Sequence, residues 1–562
     1  MNDSTVDTET VGITVIPAVP LDVAGMTSAE RARLPLSLDV VKAAAEAHGV
    51  CTRPVMREVV DLDTYAVRIV AVRCNSTQAT KCPACADRNR KSRMAQCREG
   101  WHLDAEPVAE RETPNDAQIA VATVRADLTT EYRQAQAGGD PVLLEDLRDG
   151  IRDADADLRT EGVRGNLPAV ERPAKSTANR STKRRQDSPN LPRRKVDKRT
   201  VGREFAGKYR PSTFITLTLD TYGKVRADST PVDPSTYDYR RAARDAVHFA
   251  SLVDRWWQNL RRVVGFDAQY FGTVEPQKRI TPHAHFAVRG SIPHKVVQAV
   301  TAATYLQVWW PAHDEITYAG EKRPVWDSRI SQFVDPDTNA PLTTWEDAVA
   351  ALDEPAHVVE FGRQVHSKGI LGGTEEAGRH IGYLTKYLTK SIAEVVDTDA
   401  SPRQADHADR LAAELAVTPC SERCAVWLLY GVQPRKVTSR MTPGHCKGKA
   451  HRRDTLGLPG RRVLVSRRWS GKTLAEHKQD RAAFVREALE AAGMSKPEPD
   501  RTRLRWGPVQ AGDPHVPSRT ELLMQMISQR LKWQAEYAQA QEVLAARPRP
   551  APDVSATPVV AA

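Results

Sequence analysis

The stretch Phe271 to Arg289, FGTVEPQKRITPHAHFAVR, constrains this chain most, because it reads as strand, loop, strand and sets His283 and His285 two residues apart. Alternate side chains of a strand leave the same face, so both imidazoles project together. Ala284, Phe286 and Val288 then make the opposite, apolar face, which a core has to cover. Glu275 closes the preceding run, and Pro276 stops that run from continuing as a central strand. One carboxylate and two imidazoles, with room left for water, suit Mg2+ or Mn2+ better than a closed structural zinc site, which prefers thiolates. Structural histidines satisfied by hydrogen bonds would give the same spacing. A cupin also uses His-x-His but needs a glutamate a few residues further on, and FAVRGSIP supplies none; the repeated strand-helix units of an amidohydrolase are not evident either.

About a hundred residues later, Tyr383 to Lys390, YLTKYLTK, reads as a helix. Its i, i+4 spacing puts Tyr383 and Tyr387 on one face and Lys386 and Lys390 on a neighbouring one. A phenol keeps its proton up to about pH 10 and is a poor nucleophile. Beside a metal-polarised phosphate and an ammonium its attack becomes feasible, with a phosphotyrosine ester as product. The bland alternative is a pair of core aromatics on an amphipathic helix.

The order of three motifs, Phe214 to Asp220 (FITLTLD), then EP…TPHAH, then YLTKYLTK, resembles the two-tyrosine rolling-circle replication initiators of the HUH endonuclease family, including the phage gene-A type. A narrower likeness, from about Cys74 to Gly493, is to the replication initiators of actinobacterial plasmids and integrative conjugative elements. It includes RRAARDAVHFASLVDRWWQNLRR (240–262) and TPCSERCAVWLLYGVQP (418–434). The resemblance implies an α+β fold whose central antiparallel sheet carries helices on one face. It implies that Glu275, His283 and His285 hold Mg2+ or Mn2+ and that one tyrosine, with Tyr387 favoured over Tyr383, attacks origin DNA. A 5′-phosphotyrosine link and a free 3′-OH would result, Lys386 or Lys390 would stabilise developing charge, and the second tyrosine would resolve the regenerated junction. A conjugative relaxase would share this chemistry, but such enzymes usually place their tyrosine ahead of the histidine motif. A non-catalytic DNA-binding regulator would need only the cysteine-rich and basic segments.

At 562 residues the chain is long enough for several domains, and its net charge of +10 favours a polyanionic partner. That charge is concentrated: residues 172–210 hold 14 Lys and Arg against Asp187, Asp197 and Glu204. This Ser- and Pro-rich linker offers Lys183, Arg184, Arg185, Arg193, Arg194 and Lys195 to DNA phosphates, or is a solvated tether. Residues 435–472 hold a further 12 basic residues against Asp454 alone. No run of about 18 apolar residues and no secretory leader is present, so a cytoplasmic protein is expected. SRRWSGKT (466–473) lacks the first glycine of a phosphate-binding loop, so strand separation and synthesis fall to a host helicase and polymerase.

Eight cysteines, four of them clustered, read as a reduced protein with a metal knob, not as a disulfide framework. Cys74, Cys82, Cys85 and Cys97 are the candidate ligands of a structural Zn2+, with Cys51 and His102 in reserve. Cys420, Cys424, Cys446, His445 and His451 offer a second knot that spacing alone leaves open. The expected layout is a leader (1–50), a cysteine-rich module (51–103), a helical hairpin (104–165), the basic linker (166–210), the endonuclease domain (211–395), a basic C-terminal domain (396–495), and a helix with a flexible tail (496–562). Helices are expected over 238–264, 296–310 and 519–545, and loops over 311–378.

Overall fold

The computed structural model describes residues 37–101, 114–163, 167, 188, 190–200, 211–371, 374–386, 388–389, 400–458, 462–494, 503–509 and 516–546. They belong to two compact units, one drawn from residues 1–87 and 483–562, the other from 88–482. The architecture is mixed α and β with antiparallel sheets.

The larger unit is built on a five-stranded sheet. Its strands run in the spatial order His366–Leu371, Pro211–Thr218, Pro282–Arg289, Tyr270–Pro276, Val463–Val465, each antiparallel to its neighbour. The histidine strand lies in the middle, and all eight of its residues are buried. Alternation decides what each face meets. Ile215, Leu217, Val274, Ala284, Phe286 and Val288 turn to one side and join the main core. There they meet Phe249, Leu252, Val253, Trp256, Trp257 and Leu260 of the helix Tyr239–Val264. Asp238 caps that helix by accepting from the Arg241 amide, and Gly265 ends it at φ 76°. Trp257 stacks on Tyr270 at 4.0 Å and meets Phe286 edge-on at 5.1 Å, so these tryptophans serve packing.

The opposite face is also covered. Phe214, Phe271, Ala287 and Ile370 pack against Ala377, Ile381 and Leu384 of the helix Glu375–Thr385, together with Cys97, Trp101 and Trp469. Helices therefore lie on both faces, where the sequence resemblance implied one. The reason is the sheet's own composition, since Phe214, Phe271 and Ala287 are apolar on the side that carries the histidines and need cover.

Two other expectations are corrected. The helix expected over 296–310 is His294–Ala303, followed by a strand Tyr305–Val308 paired with His357–Glu360. The region 311–378 holds short strands, a helix Trp345–Ala350 and the edge strand His366–Leu371. In HSKGIL only Ile370 is buried, so an edge strand left no alternation to read.

Gly272 lies opposite Phe286 in this sheet. A Cβ there would sit 2.2 Å from Phe286 Cδ1 and 2.9 Å from the His285 carbonyl oxygen. Phe286 is fully buried and cannot swing away. Gly272→Ala is expected to cost about 1–3 kcal/mol or more, read as a lowered denaturant midpoint at unchanged m-value.

In the smaller unit, Val55–Asp61 pairs on one side with Val67–Val72 and on the other with Leu504–Pro508. The first two of these strands form a hairpin, turned by Asp61, whose carboxylate accepts from the Asp63 and Thr64 amides. Leu523 and Ile527 of the helix Arg519–Ala546 pack on Val41, Ala45 and Val50. In the larger unit the helical hairpin is Asp116–Gly138 and Pro141–Thr160, joined through Gly139 at φ 75°. Among the described residues no helix is long and apolar enough to cross a membrane.

Candidate metal centre and active site

Strand register assembles the centre. Glu275 stands opposite His283 and Thr273 opposite His285 on one side of the histidine strand, while Thr218 and Thr216 stand opposite the same two histidines on the other. The ligand atoms of Glu275, His283 and His285 all lie within 4.8 Å of one another. His283 and His285 meet with ring centroids 4.5 Å apart and perpendicular planes.

Each side chain's surroundings fit a cation. Burial lowers His283 to about 4 and His285 to about 3, so both are neutral bases at pH 7 with lone pairs to offer. Burial also raises the Glu275 carboxyl to about 7, opposed by the positive charges of Arg462 and Lys386. A carboxylate in so dry a site calls for a compensating charge. His283 Nδ1 is buried and has no hydrogen-bond partner among the described residues. His285 Nδ1 is hydrogen-bonded to Thr216 Oγ1 at 2.8 Å, which orients the ring; when Nδ1 donates to that hydroxyl, the Nε2 lone pair is left for a metal. These observations suit a hard divalent ion on one carboxylate and two imidazoles.

A second element supplies the phenol. The helix Glu375–Thr385 is capped by Thr374, whose hydroxyl accepts from the Ala377 amide, and its apolar face anchors it on the sheet. That docking brings the Tyr383 hydroxyl to 3.1 Å from His285 Nε2, with Phe214 at 6.2 Å edge-on to the tyrosine ring. Lys386 follows at the end of this helix and acts on Glu275 through its charge.

Of the residues expected from sequence, the fold thus brings together Glu275, His283, His285, Tyr383 and Lys386. Tyr387, Lys390, Lys183, Arg184 and Arg185 lie outside the described residues. Arg193, Arg194 and Lys195 are exposed, and the Arg194 amide donates to the Arg262 carbonyl at 2.8 Å, fixing this segment to the end of the long helix. Sequence reading missed Thr216, which lies in FITLTLD but gains its role only once that strand pairs with the histidine strand. Thr216→Val keeps the shape and removes the hydroxyl. We expect about 10–100-fold weaker Mn2+ binding, measured by titration, with little change in folding.

In the smaller unit, Cys74, Cys82 and Cys85 converge with Cys51, all ligand atoms within 4.8 Å, and Cys82 Sγ is 3.8 Å from Cys51 Sγ. Hydrogen bonds from Cys85 and from the Cys74 amide draw the Cys51 thiol down to about 5, favouring the thiolate that binds metal. Cys97 does not join them. It is fully buried in the apolar cluster with Trp101 and Trp469, where desolvation holds its thiol protonated. Cys97 belongs to the larger unit, whereas the four converging cysteines belong to the smaller one.

A family model described as "Replication initiator protein, pSAM2" matches residues 37–529. No curated protein and no solved structure matches the chain at a significant level.

Proposed function

The chain belongs to this family of replication initiator proteins, and from that premise we propose that it nicks and rejoins one strand of origin DNA through a tyrosine ester, starting rolling-circle replication. Family membership supports the coarser role, that of a plasmid replication initiator acting on origin DNA. The finer chemistry rests on one observation above all: a phenol, Tyr383, within 3.1 Å of an imidazole that shares its pocket with a second imidazole and a carboxylate.

Glu275, His283 and His285 would hold Mg2+ or Mn2+, which supplies the positive charge that polarises a scissile phosphate. The tyrosine oxygen attacks phosphorus, the bond from phosphorus to the 3′ oxygen breaks, and the proton lost by the phenol is balanced by the one that the 3′ oxygen gains. A 5′-phosphotyrosine and a primer 3′-OH result, and the ester conserves the energy needed for rejoining. Lys386, and Lys390 after it, stabilise charge as it develops. Of the two phenols, Tyr383 has the support of position for the first attack, and Tyr387 is the candidate for the second. Thr216 orients His285 and so acts as a positioning residue. Cys51, Cys74, Cys82 and Cys85 would hold a structural Zn2+ in the smaller unit. Basic segments at 172–210 and 435–472 are the proposed phosphate contacts, and a host helicase and polymerase the proposed partners.

The test mixes purified protein with single-stranded DNA from its own element, with Mn2+ or with EDTA, and resolves the products on a denaturing gel. Protein carrying covalently bound DNA only in the presence of metal is the expected result. Tight binding with no adduct on any origin-containing strand would leave a non-catalytic DNA-binding regulator as the better account.

A further inference from the structure

Cys420 and Cys424 flank the turn that leads from the helix Pro402–Val417 into the short helix Ala425–Tyr430, and Cys446 and His451 come from the basic segment beyond. From these four residues we infer a second structural zinc site, of three thiolates and one imidazole, inside the larger unit.

The geometry carries this. All four ligand atoms lie within 4.8 Å of one another, with Cys420 Sγ to Cys446 Sγ at 3.9 Å and Cys424 Sγ to His451 Nε2 at 3.3 Å. Zn–S bonds of about 2.3 Å and Zn–N bonds of about 2.0–2.1 Å at tetrahedral angles put two sulfurs about 3.8 Å apart and a sulfur and nitrogen about 3.6 Å apart. A disulfide needs about 2.05 Å between sulfurs, and all three cysteines are free.

The surroundings are arranged as for a metal. His451 Nδ1 is 2.8 Å from the Leu415 carbonyl, to which it donates, so the tautomer is fixed with the Nε2 lone pair facing the sulfurs. The Gly448 amide donates to Cys446 Sγ at 3.3 Å, as amides do to thiolates. A side chain at Gly448 would begin 2.9 Å from Cys420 Sγ and 3.3 Å from Cys446 Sγ, so this position leaves the cage to the ligands.

The site also has mechanical work to do. Cys424 belongs to the cluster of Trp345, Val426, Trp427 and Leu429, while Cys420 also packs on the main core with Leu411 and Leu415. An ion here cross-links those two cores and pins the segment carrying Lys447, Lys449, Arg452 and Arg453, which otherwise has little regular structure.

The experiment counts zinc by plasma mass spectrometry in the full-length His283→Ala/His285→Ala protein, so that the catalytic centre cannot contribute. The expected content is two ions per chain, one from each cysteine group. Adding Cys446→Ser removes one equivalent that Cys82→Ser leaves in place, and accelerates proteolysis within 434–458. Unchanged zinc content in Cys446→Ser overturns the site. Should that variant not fold, cobalt-loaded His451→Cys decides. Stronger thiolate-to-cobalt absorption than in its parent supports the assignment, and an unchanged spectrum refutes it.

Discussion

Tyr383→Phe/Tyr387→Phe yields no covalent protein–DNA adduct, with nicking of origin DNA reduced by at least about 10³-fold, because the phenolic oxygens are the atoms that would form the ester. Binding of the same DNA by gel shift is expected to change less than about threefold, since two hydroxyls contribute little against many phosphate contacts. The single variants separate the two phenols. Tyr383 places its hydroxyl 3.1 Å from His285 Nε2, so Tyr383→Phe should abolish the first adduct. Tyr387→Phe should still form that adduct and fail to release a circle. The opposite pattern would make Tyr387 the first nucleophile, and full activity of the double variant would end the proposal of a tyrosine ester.

His283→Ala/His285→Ala is the second large effect. With two of the three proposed ligands gone, Mn2+ binding by calorimetry should disappear and nicking should fall by about 10³-fold or more, while gel-shift affinity for origin DNA measured in EDTA stays at the parent level. Glu275→Gln is the milder partner. Its amide keeps the size of the carboxyl but brings no charge to a site where burial already raises the acid to about 7. Metal affinity falls, and excess Mn2+ should restore part of the activity. Unaltered metal-dependent nicking in the double histidine variant would place the catalytic ion elsewhere. Removing His283 and His285 also removes two buried polar rings from the middle of the sheet, so circular dichroism and a thermal melt belong beside the activity measurement.

Much of this site could be read from spacing. A two-residue repeat on a strand put His283 and His285 on one face and Ala284, Phe286 and Val288 on the other, and the backbone keeps that arrangement. The long helix was legible in the same way, because Phe249, Leu252, Val253, Trp256, Trp257 and Leu260 recur at helical spacing on a buried face. The edge strand His366–Leu371 was not, since an edge strand packs few side chains and so selects no alternating pattern. The thiolate group illustrates the same boundary. Cys82 and Cys85 announce themselves by their spacing, yet their company depends on where the chain returns. A helix carries Cys97 away into an apolar cluster, and Cys51 arrives from before the first strand of its unit.

Local residue order, then, determined which elements form and which of their faces are chemical, because periodicity and capping act within a few residues of chain. Tertiary structure alone decided the rest: that Thr216 supports His285, that Tyr383 meets His285 from 98 residues away, and that Cys420, Cys424, Cys446 and His451 close on a common point. Strand register and helix docking set these contacts. Both arise from burying apolar surface across long stretches of chain, which no short-range pattern encodes.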